Sequence, residues 1–209
     1  RAASLAGEHE RAQEEARAAT DEAPQDVEAW TMRGVAAVRA GDRAGAEEAY
    51  RAALERNPAH AVARAGLAGL LSGEDALREY RRALEAYPRL LEAHLQVADL
   101  EGGARGLQAL RTAADALPDS TRLHAAVIER ALAAGDPAGA LAYLRETLER
   151  PLARSASVYA LASRLPADRR EAALALLREG AEAYPDDVGL ALAEAELLRE
   201  AGDPAAAEA

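Results

Sequence analysis

The chain has 209 residues, of which 36 are acidic and 25 are Lys or Arg, and its formal net charge is −11. All the basic residues counted there are arginines, so the sequence excludes chemistry that depends on a lysine nucleophile or a phosphate-binding lysine. The absence of cysteine excludes disulfides and Cys-ligated zinc. The acidic balance argues against nucleic acid as a partner, and no apolar stretch is long enough for membrane insertion.

Helix-forming residues dominate the sequence, whereas strand-forming residues are scarce. Pro24, Pro58, Pro88 and Pro118 follow one another at intervals of 30 to 34 residues. Such a period is typical of stacked helical repeats. The predicted helices, in chain order, cover residues 5–20, 27–40, 43–56, 60–72, 75–87, 90–101, 104–117, 121–134, 137–149, 154–164, 167–183, 187–201 and 204 onward.

Three near-copies of one short segment mark places where predicted helices meet. They read AGDRAGA at 40–46, AGDPAGA at 134–140 and AGDPAAA at 201–207. The glycine can adopt the left-handed conformation that ends a helix, and the aspartate after it can cap the next helix. Pro137 and Pro204 suit the first helical position, where a missing N–H costs nothing. Each segment therefore predicts a tight turn between two antiparallel helices.

A longer pattern extends over residues 27–58. It consists of a tryptophan, a glycine, an alanine, an aromatic residue, a second alanine and a proline, which are Trp30, Gly34, Ala46, Tyr50, Ala53 and Pro58. The pattern resembles a tetratricopeptide repeat (TPR), although Arg33 and Ala37 replace the leucine and tyrosine usual in that family. Weaker copies recur at 61–88, 91–118, 121–152 and 155–185, with partial copies at 1–24 and 188–209.

The resemblance implies an all-α fold. The expected architecture is an α-α superhelix, a TPR-like solenoid of antiparallel helix pairs, with about six repeats and incomplete first and last copies. We expect a single repeat domain over residues 1–209, because no linker or low-complexity segment divides the copies. The second and third full copies are shorter by about one helical turn, which predicts irregular geometry around residues 72–75 and 101–105.

Members of this family typically hold a peptide or a helix of a partner in a concave face lined by the first helix of each pair. The resemblance therefore implies a protein–protein interaction scaffold rather than an enzyme. Helical geometry places the candidate groove residues beside the structural positions. They are Glu28, Thr31, Val35, Val38, Val62, Gly69, Glu92, Gln96, Asp99, Arg122, Glu129 and Tyr159. This strip is partly apolar and partly acidic, so we expect a basic or apolar partner.

No constellation of catalytic or metal-binding residues stands out. His94 and His124 occupy the repeat position that Trp30 holds in the first full copy, but a third ligand is missing, so we predict neither metal nor cofactor. His60 precedes a predicted helix and is expected to be exposed. The absence of lysine also argues against the family's subclass that clamps a partner's terminal carboxylate.

Two alternative functions remain open at this point. Both ends of the sequence fall inside a repeat, so the array could associate with itself through its terminal repeats as a homo-oligomer. It could also be the regulatory arm of a larger enzyme whose catalytic domain lies outside these residues. A cytoplasmic location is the default expectation.

Overall fold

The computed structural model describes residues 2–200, with side chains described at residue 8 and from residue 10 onward. Within that range the chain forms twelve α-helices and no strand. The helices are α1 Ala2–Glu22, α2 Val27–Arg39, α3 Arg43–Arg56, α4 Ala61–Ala68, α5 Gly73–Ala86, α6 Leu91–Glu101, α7 Gly103–Ala116, α8 Thr121–Ala133, α9 Pro137–Leu148, α10 Ala156–Ala160, α11 Arg170–Ala183 and α12 Val188–Glu200.

These helices confirm the all-α class and the helical repeat architecture. Each predicted helix before residue 201 has a counterpart, although the helix predicted at 154–164 is a five-residue α10 followed by a 3₁₀ turn, Leu161–Arg164. The shortening of the second copy falls in α4, which has 8 residues where α2 has 13. The helix predicted from 204 and the AGDPAAA segment lie outside the described residues. Within the described range, no helix is both long and apolar enough to cross a membrane.

The chain divides into two compact units, which we call unit 1 (residues 1–101) and unit 2 (residues 102–209). In unit 1, α2 packs against α1 and α3, α4 packs against α3 and α5, and α6 packs against α5. Short connections make consecutive helices antiparallel neighbours. The helices α2 and α4, each the first of its pair, also contact one another, so their outward sides form one continuous surface.

The connection between α2 and α3 confirms the predicted turn. Gly41 has a φ of 78°, and the carboxylate of Asp42 caps α3 by accepting from a backbone N–H at 2.9 Å. Gly135 has a φ of 75°, and Asp136 caps α9 in the same way at 2.7 Å. A positive φ favours glycine, and a short carboxylate side chain satisfies the free N–H groups of a helix start. The residues of this motif therefore specify the turn locally.

Four copies place a hydrogen-bond donor at the repeat position held by Trp30. In four copies, the side chain six residues after the repeat proline donates to the carbonyl oxygen of that proline. The pairs are Trp30 with Pro24, Arg64 with Pro58, His94 with Pro88 and His124 with Pro118. A carbonyl oxygen can only accept, so the Nε2 of each histidine carries a proton. Tryptophan, arginine and histidine are therefore interchangeable here as N–H donors.

The core of unit 1 is built around Tyr50 of α3, whose side chain is buried. Its ring lies between Gly34 of α2 and Gly66 of α4, and a Cβ added at Gly34 would come within 2.5 Å of the ring. Ala46 and Ala53 flank the tyrosine on α3 and are fully buried. Small residues are needed around the ring because closely packed helices leave no volume for a further side chain.

Unit 2 packs α8 against α7 and α9, and α10 against α11 and α12. Larger aliphatic side chains, among them Leu123, Ile128 and Leu144, are fully buried there. Tyr159 of α10 is also fully buried, and a Cβ added at Gly180 of α11 would lie 2.7 Å from it. The tyrosine of this last helix pair is therefore on the first helix rather than the second.

Candidate partner-binding surface

The outward side of α2 carries four of the predicted groove residues. Glu28 and Val38 are exposed and Val35 is half-buried, but Thr31 is only 3% exposed. The Thr31 hydroxyl donates to the carbonyl oxygen of Val27 at 2.8 Å. Thr31 is therefore a packing residue that offers a partner no side-chain surface. What α2 does offer is a carboxylate near its start and an apolar side chain near its end.

His60 joins α2 to α4 on the same side of unit 1. Its Nδ1 accepts from the backbone N–H of Ala63 at 3.3 Å, which caps α4, and lies 3.3 Å from the Thr31 hydroxyl. Because Nδ1 accepts, Nε2 carries the proton and donates to Glu28 Oε1 at 3.0 Å. The side chain is only 14% exposed, so the expectation of an exposed histidine is wrong. The helix cap and the contact with Glu28 hold the ring against α2.

The helix α4 adds two further predicted residues to this side of unit 1. Val62 is 47% exposed, as is Val38 on α2, and Gly69 is exposed at the end of α4. Since α2 and α4 contact one another, these residues belong to one surface. We call it the first-helix surface, and it consists of Glu28, Met32, Val35, Val38, Val62 and Gly69.

Sequence reasoning missed two residues in this region. Met32 belongs to the first-helix surface, and His60 supports that surface from the start of α4. Met32 is 58% exposed, the most of any large apolar side chain described in unit 1. It follows Glu28 by four residues, so helical periodicity places both on one side of α2 and could have identified it. The contact of His60 with Glu28 joins residues 32 positions apart, and no local pattern signals it.

Three predicted residues lie on α6. Glu92 and Asp99 are exposed, and half-buried Gln96 donates its side-chain N–H to Glu92 Oε1 at 3.0 Å. Glu92 and Asp99 are seven residues apart, which places them two turns apart on the same side of the helix. The first helices of unit 1 therefore carry acidic residues on α6 in addition to Glu28 on α2.

The predicted groove residues of unit 2 have different surroundings. Arg122 and Glu129 of α8 are exposed, and Glu129 forms an ion pair with Arg164 in the 3₁₀ segment after α10. Tyr159 is fully buried, and its hydroxyl donates to Glu179 Oε1 at 2.6 Å. Tyr159 therefore packs in the core and offers no side-chain surface. No large apolar side chain of α8 or α10 is exposed.

The histidines considered as metal ligands are engaged in packing. His124 is fully buried, with Nε2 2.9 Å from the Pro118 carbonyl oxygen and Nδ1 2.7 Å from the Tyr143 hydroxyl. Burial lowers the pKa of His124 and raises the pKa of Tyr143 to about 12, so both side chains are neutral near pH 7. Across the part of the chain that the structure describes, no group of three or more His, Asp or Glu side chains is arranged to hold a metal ion.

Two open clefts lie beside the second helices, one in each unit. The cleft of unit 1, about 530 Å³, is bounded by Trp30 and by side chains of α3. The cleft of unit 2, about 390 Å³, lies between α9 and α11. Each cleft contains a pair of opposite charges, Arg51 with Glu47 at 2.6 Å in unit 1 and Arg154 with Glu179 at 3.5 Å in unit 2. The linings contain no serine or histidine that could form a nucleophile–base pair.

The fold and the first-helix surface define a helical repeat protein with apolar and acidic side chains exposed on its first helices. Two overlapping stretches, residues 1–61 and 31–72, match the model of the tetratricopeptide repeat family. The resemblance inferred from residues 27–58 is therefore confirmed, and the first third of the chain carries tetratricopeptide repeats. No curated protein matches the chain significantly.

Solved structures show the same fold over most of the chain. A chain of the APC/C hetero-tetramer Cut9–Hcn1 has a TM-score of 0.57 at 15% identity, and the match covers 97% of this chain and 42% of that one. The pilF protein of Pseudomonas aeruginosa has a TM-score of 0.53 at 25% identity, with 87% of each chain covered. PilW, a type IV pilus biogenesis factor, has a TM-score of 0.55 at 19% identity, with 90% and 94% covered.

Proposed function

We propose that this chain is a protein-interaction module whose first-helix surface binds a basic or apolar segment of a partner protein. Proteins with tetratricopeptide repeats generally mediate protein–protein interaction and are generally non-catalytic. The observation that carries the proposal is the exposure of Met32, Val38 and Val62 on two first helices that contact one another.

Apolar side chains on this surface supply the binding energy. Single exposed apolar residues are common on any protein, but three on one continuous surface are typical of an interaction site. Covering one such side chain contributes about 1.5–3 kcal/mol before the entropic cost of association.

Acidic side chains select the partner by charge. Glu28 lies on the first-helix surface, and Glu92 and Asp99 are exposed on α6 of the same unit. The chain as a whole carries a formal net charge of −11. A basic partner is therefore attracted during the diffusional approach, which raises the association rate more than the final affinity.

The length of α2 sets the size of the bound segment. From Glu28 to Val38 the helix rises by about 15 Å. An extended peptide covers that distance with about five residues, and a helix with about ten. A segment with a basic residue near Glu28 and an apolar residue near Val38 matches both ends of the surface.

This proposal can be tested with peptides that are selected from a random displayed library for binding to the 209-residue chain. Their affinity is measured by fluorescence anisotropy for the wild type and for Val62→Ser, with Leu152→Ser as the control. Leu152 is a suitable control because it is 77% exposed and lies in unit 2. We expect selected peptides rich in arginine, lysine and apolar residues. Val62→Ser removes an apolar contact without adding charge and should weaken them about tenfold, which is about 1.4 kcal/mol, and Leu152→Ser should leave them unchanged.

Contradiction of the proposal would take one of two forms. Peptides that bind Val62→Ser and Val38→Ser as tightly as the wild type, while both variants keep their helical circular dichroism, would place binding elsewhere. Selected peptides that are predominantly acidic would overturn the assigned partner chemistry. Weaker binding of basic peptides at higher salt would support it, because screening reduces exposed charge interactions.

A further inference from the structure

The residue that caps α4 differs from the caps of other first helices. In four of those helices, a serine or aspartate side chain accepts from a backbone N–H of the first turn. These caps are Asp26 for α2, Ser120 for α8, Ser155 for α10 and Asp187 for α12. Short oxygen-bearing side chains are the preferred helix caps, and histidine is not among them. His60 caps α4 through Nδ1, which leaves its second ring nitrogen available for another contact.

That second nitrogen, Nε2, donates to Glu28 Oε1 at 3.0 Å. The imidazole is the fixed partner of the pair. Its backbone N–H donates to the carbonyl oxygen of Asn57 at 3.0 Å, its Nδ1 is engaged with Ala63, and its side chain is only 14% exposed. The Glu28 side chain is 71% exposed, so the hydrogen bond from His60 is what restricts the carboxylate.

The other oxygen of the carboxylate faces a site that a partner can reach. Among the residues that the structure describes, Oε2 of Glu28 has no hydrogen-bond or ion-pair partner. Met32 lies one turn further along α2 and Val62 lies two residues after His60, and both are exposed. A segment that covers these apolar side chains excludes water near the carboxylate, which strengthens the attraction of Glu28 for a cation.

We propose that His60 is a positioning residue that holds the Glu28 carboxylate in place for a lysine or arginine side chain of the bound segment. This inference rests on the proposed function and deepens it. The Nε2–H of His60 restrains Oε1, and Oε2 receives the cation. An unrestrained glutamate loses conformational freedom when it binds a cation, and His60 removes part of that cost in advance. His60 therefore acts through Glu28 and makes the surface more selective for a basic residue.

NMR with ¹⁵N-labelled histidine tests the contact in the free protein, because the chain has only 4 histidines. We expect His60 to be the Nε2–H tautomer. Glu28→Ala removes the acceptor and should shift the Nε2 resonance of His60, while those of His94 and His124 stay in place. An Nδ1–H tautomer, or an Nε2 resonance that Glu28→Ala does not move, would overturn the proposal.

Two substitutions of His60 separate the helix cap from the contact with Glu28. Asparagine is a good cap, but its amide ends near the position of Nδ1 and is too short to reach Glu28. Glutamine places an N–H donor near the position of Nε2 and is a poor cap. His60→Asn should therefore keep the stability of unit 1 and lose the positioning, and His60→Gln should do the reverse. Urea unfolding followed by Trp30 fluorescence measures the stability.

The peptides selected from the displayed library measure the selectivity. Each peptide is compared with versions in which one basic residue at a time is replaced by glutamine. The basic residue that pairs with Glu28 is the one whose replacement no longer matters in Glu28→Gln. The affinity ratio between the basic and the glutamine version should fall about threefold in His60→Asn. It should stay near the wild-type value in His60→Gln. A purely structural role would instead lower the affinity for both versions equally.

The outcomes distinguish this proposal from the proposed function. Failure of the selected peptides to bind the first-helix surface would overturn both. Peptides that bind there without a basic residue coupled to Glu28 would overturn the positioning role alone. An affinity ratio that is unchanged in His60→Asn, or that falls equally in His60→Asn and His60→Gln, would do the same. A ratio that falls in His60→Asn and is kept in His60→Gln would support it.

Discussion

Tyr50 of unit 1 and Tyr159 of unit 2 meet the same packing requirement with opposite placement of the large and the small residue. Tyr50 lies on a second helix and its ring contacts Gly34 and Gly66 on first helices. Tyr159 lies on a first helix, and Gly180 on the second helix leaves room for it. In each of these two helix pairs, a tyrosine on one helix packs against a glycine on the other, and either helix can supply either residue.

The two tyrosines differ in what their hydroxyl groups do. The Tyr159 hydroxyl donates to Glu179 at 2.6 Å and accepts from Arg154 Nε at 3.1 Å. Burial, and then the hydrogen bond with Glu179, raise the pKa of Tyr159, which keeps the hydroxyl protonated as a donor. The Tyr50 hydroxyl makes no hydrogen bond within the described residues. The Tyr159 side chain therefore holds α10 by hydrogen bonds as well as by packing, whereas the Tyr50 side chain contributes to α3 by packing.

The largest expected effect tests the pairing of ring and glycine. Gly34→Ala should lower the free energy of unfolding by about 3 kcal/mol, because the new Cβ collides with the Tyr50 ring. Combining it with Tyr50→Leu should recover a large part of that loss. Urea unfolding measures both, and fluorescence of Trp30, the single tryptophan, reports on unit 1. A double-mutant cycle with purely additive effects would show that the two residues are not coupled.

The same cycle in unit 2 sharpens the comparison. Gly180→Ala should cost about as much as Gly34→Ala, because a Cβ there would lie 2.7 Å from Tyr159. Rescue by Tyr159→Leu should be weaker than rescue by Tyr50→Leu, because a Cβ at Gly180 approaches the Cβ and Cγ of Tyr159, which leucine retains, and because the change also removes the hydrogen bonds of the Tyr159 hydroxyl. Unfolding followed by far-ultraviolet circular dichroism measures this difference. Equal rescue in the two units would contradict the distinction between them.

A smaller effect isolates the hydroxyl groups. Tyr159→Phe should lower the free energy of unfolding by about 1.5 kcal/mol, because it removes a hydrogen bond to a carboxylate. Tyr50→Phe is the matched control and should change it by less than about 0.5 kcal/mol. Urea unfolding of both variants measures the contrast. An equal loss in both would refute a role for the Tyr159 hydroxyl in holding α10.

The smallest effect is a pH dependence that belongs to unit 2. Burial lowers the pKa of His124 below its usual 6.5. The unfolded chain therefore binds the proton first as the pH falls, and the folded state loses stability below about pH 6.5. We expect a progressive loss of stability as the pH falls from 6.5 to 5.5, limited to about 1.4 kcal/mol per pH unit for a single proton. His124→Gln should remove this loss, whereas His94→Gln, at the equivalent position of unit 1, should leave it in place. Urea unfolding at the two pH values provides the measurement, and a loss that persists in His124→Gln would assign it to other groups.

Local patterns predicted the helices and turns well. The segment AGDRAGA specified the turn at 40–46, because Gly41 adopts a positive φ and Asp42 caps α3 within three residues of chain. The same reasoning failed for the groove at Thr31 and Tyr159, which periodicity placed on the outward side. Thr31 is covered by a residue 29 positions further along, and Tyr159 fills the space left by Gly180.

The sequence by itself determined that this protein is a series of antiparallel helix pairs. That outcome depends on helix propensity, on caps and on the volumes of neighbouring side chains, all of which act over a few residues. Only the tertiary structure decided which residues of the first helices remain accessible to a partner. Exposure at one helix depends on what the next helix brings against it, as His60 does at Thr31, and that contact is recorded in no local pattern.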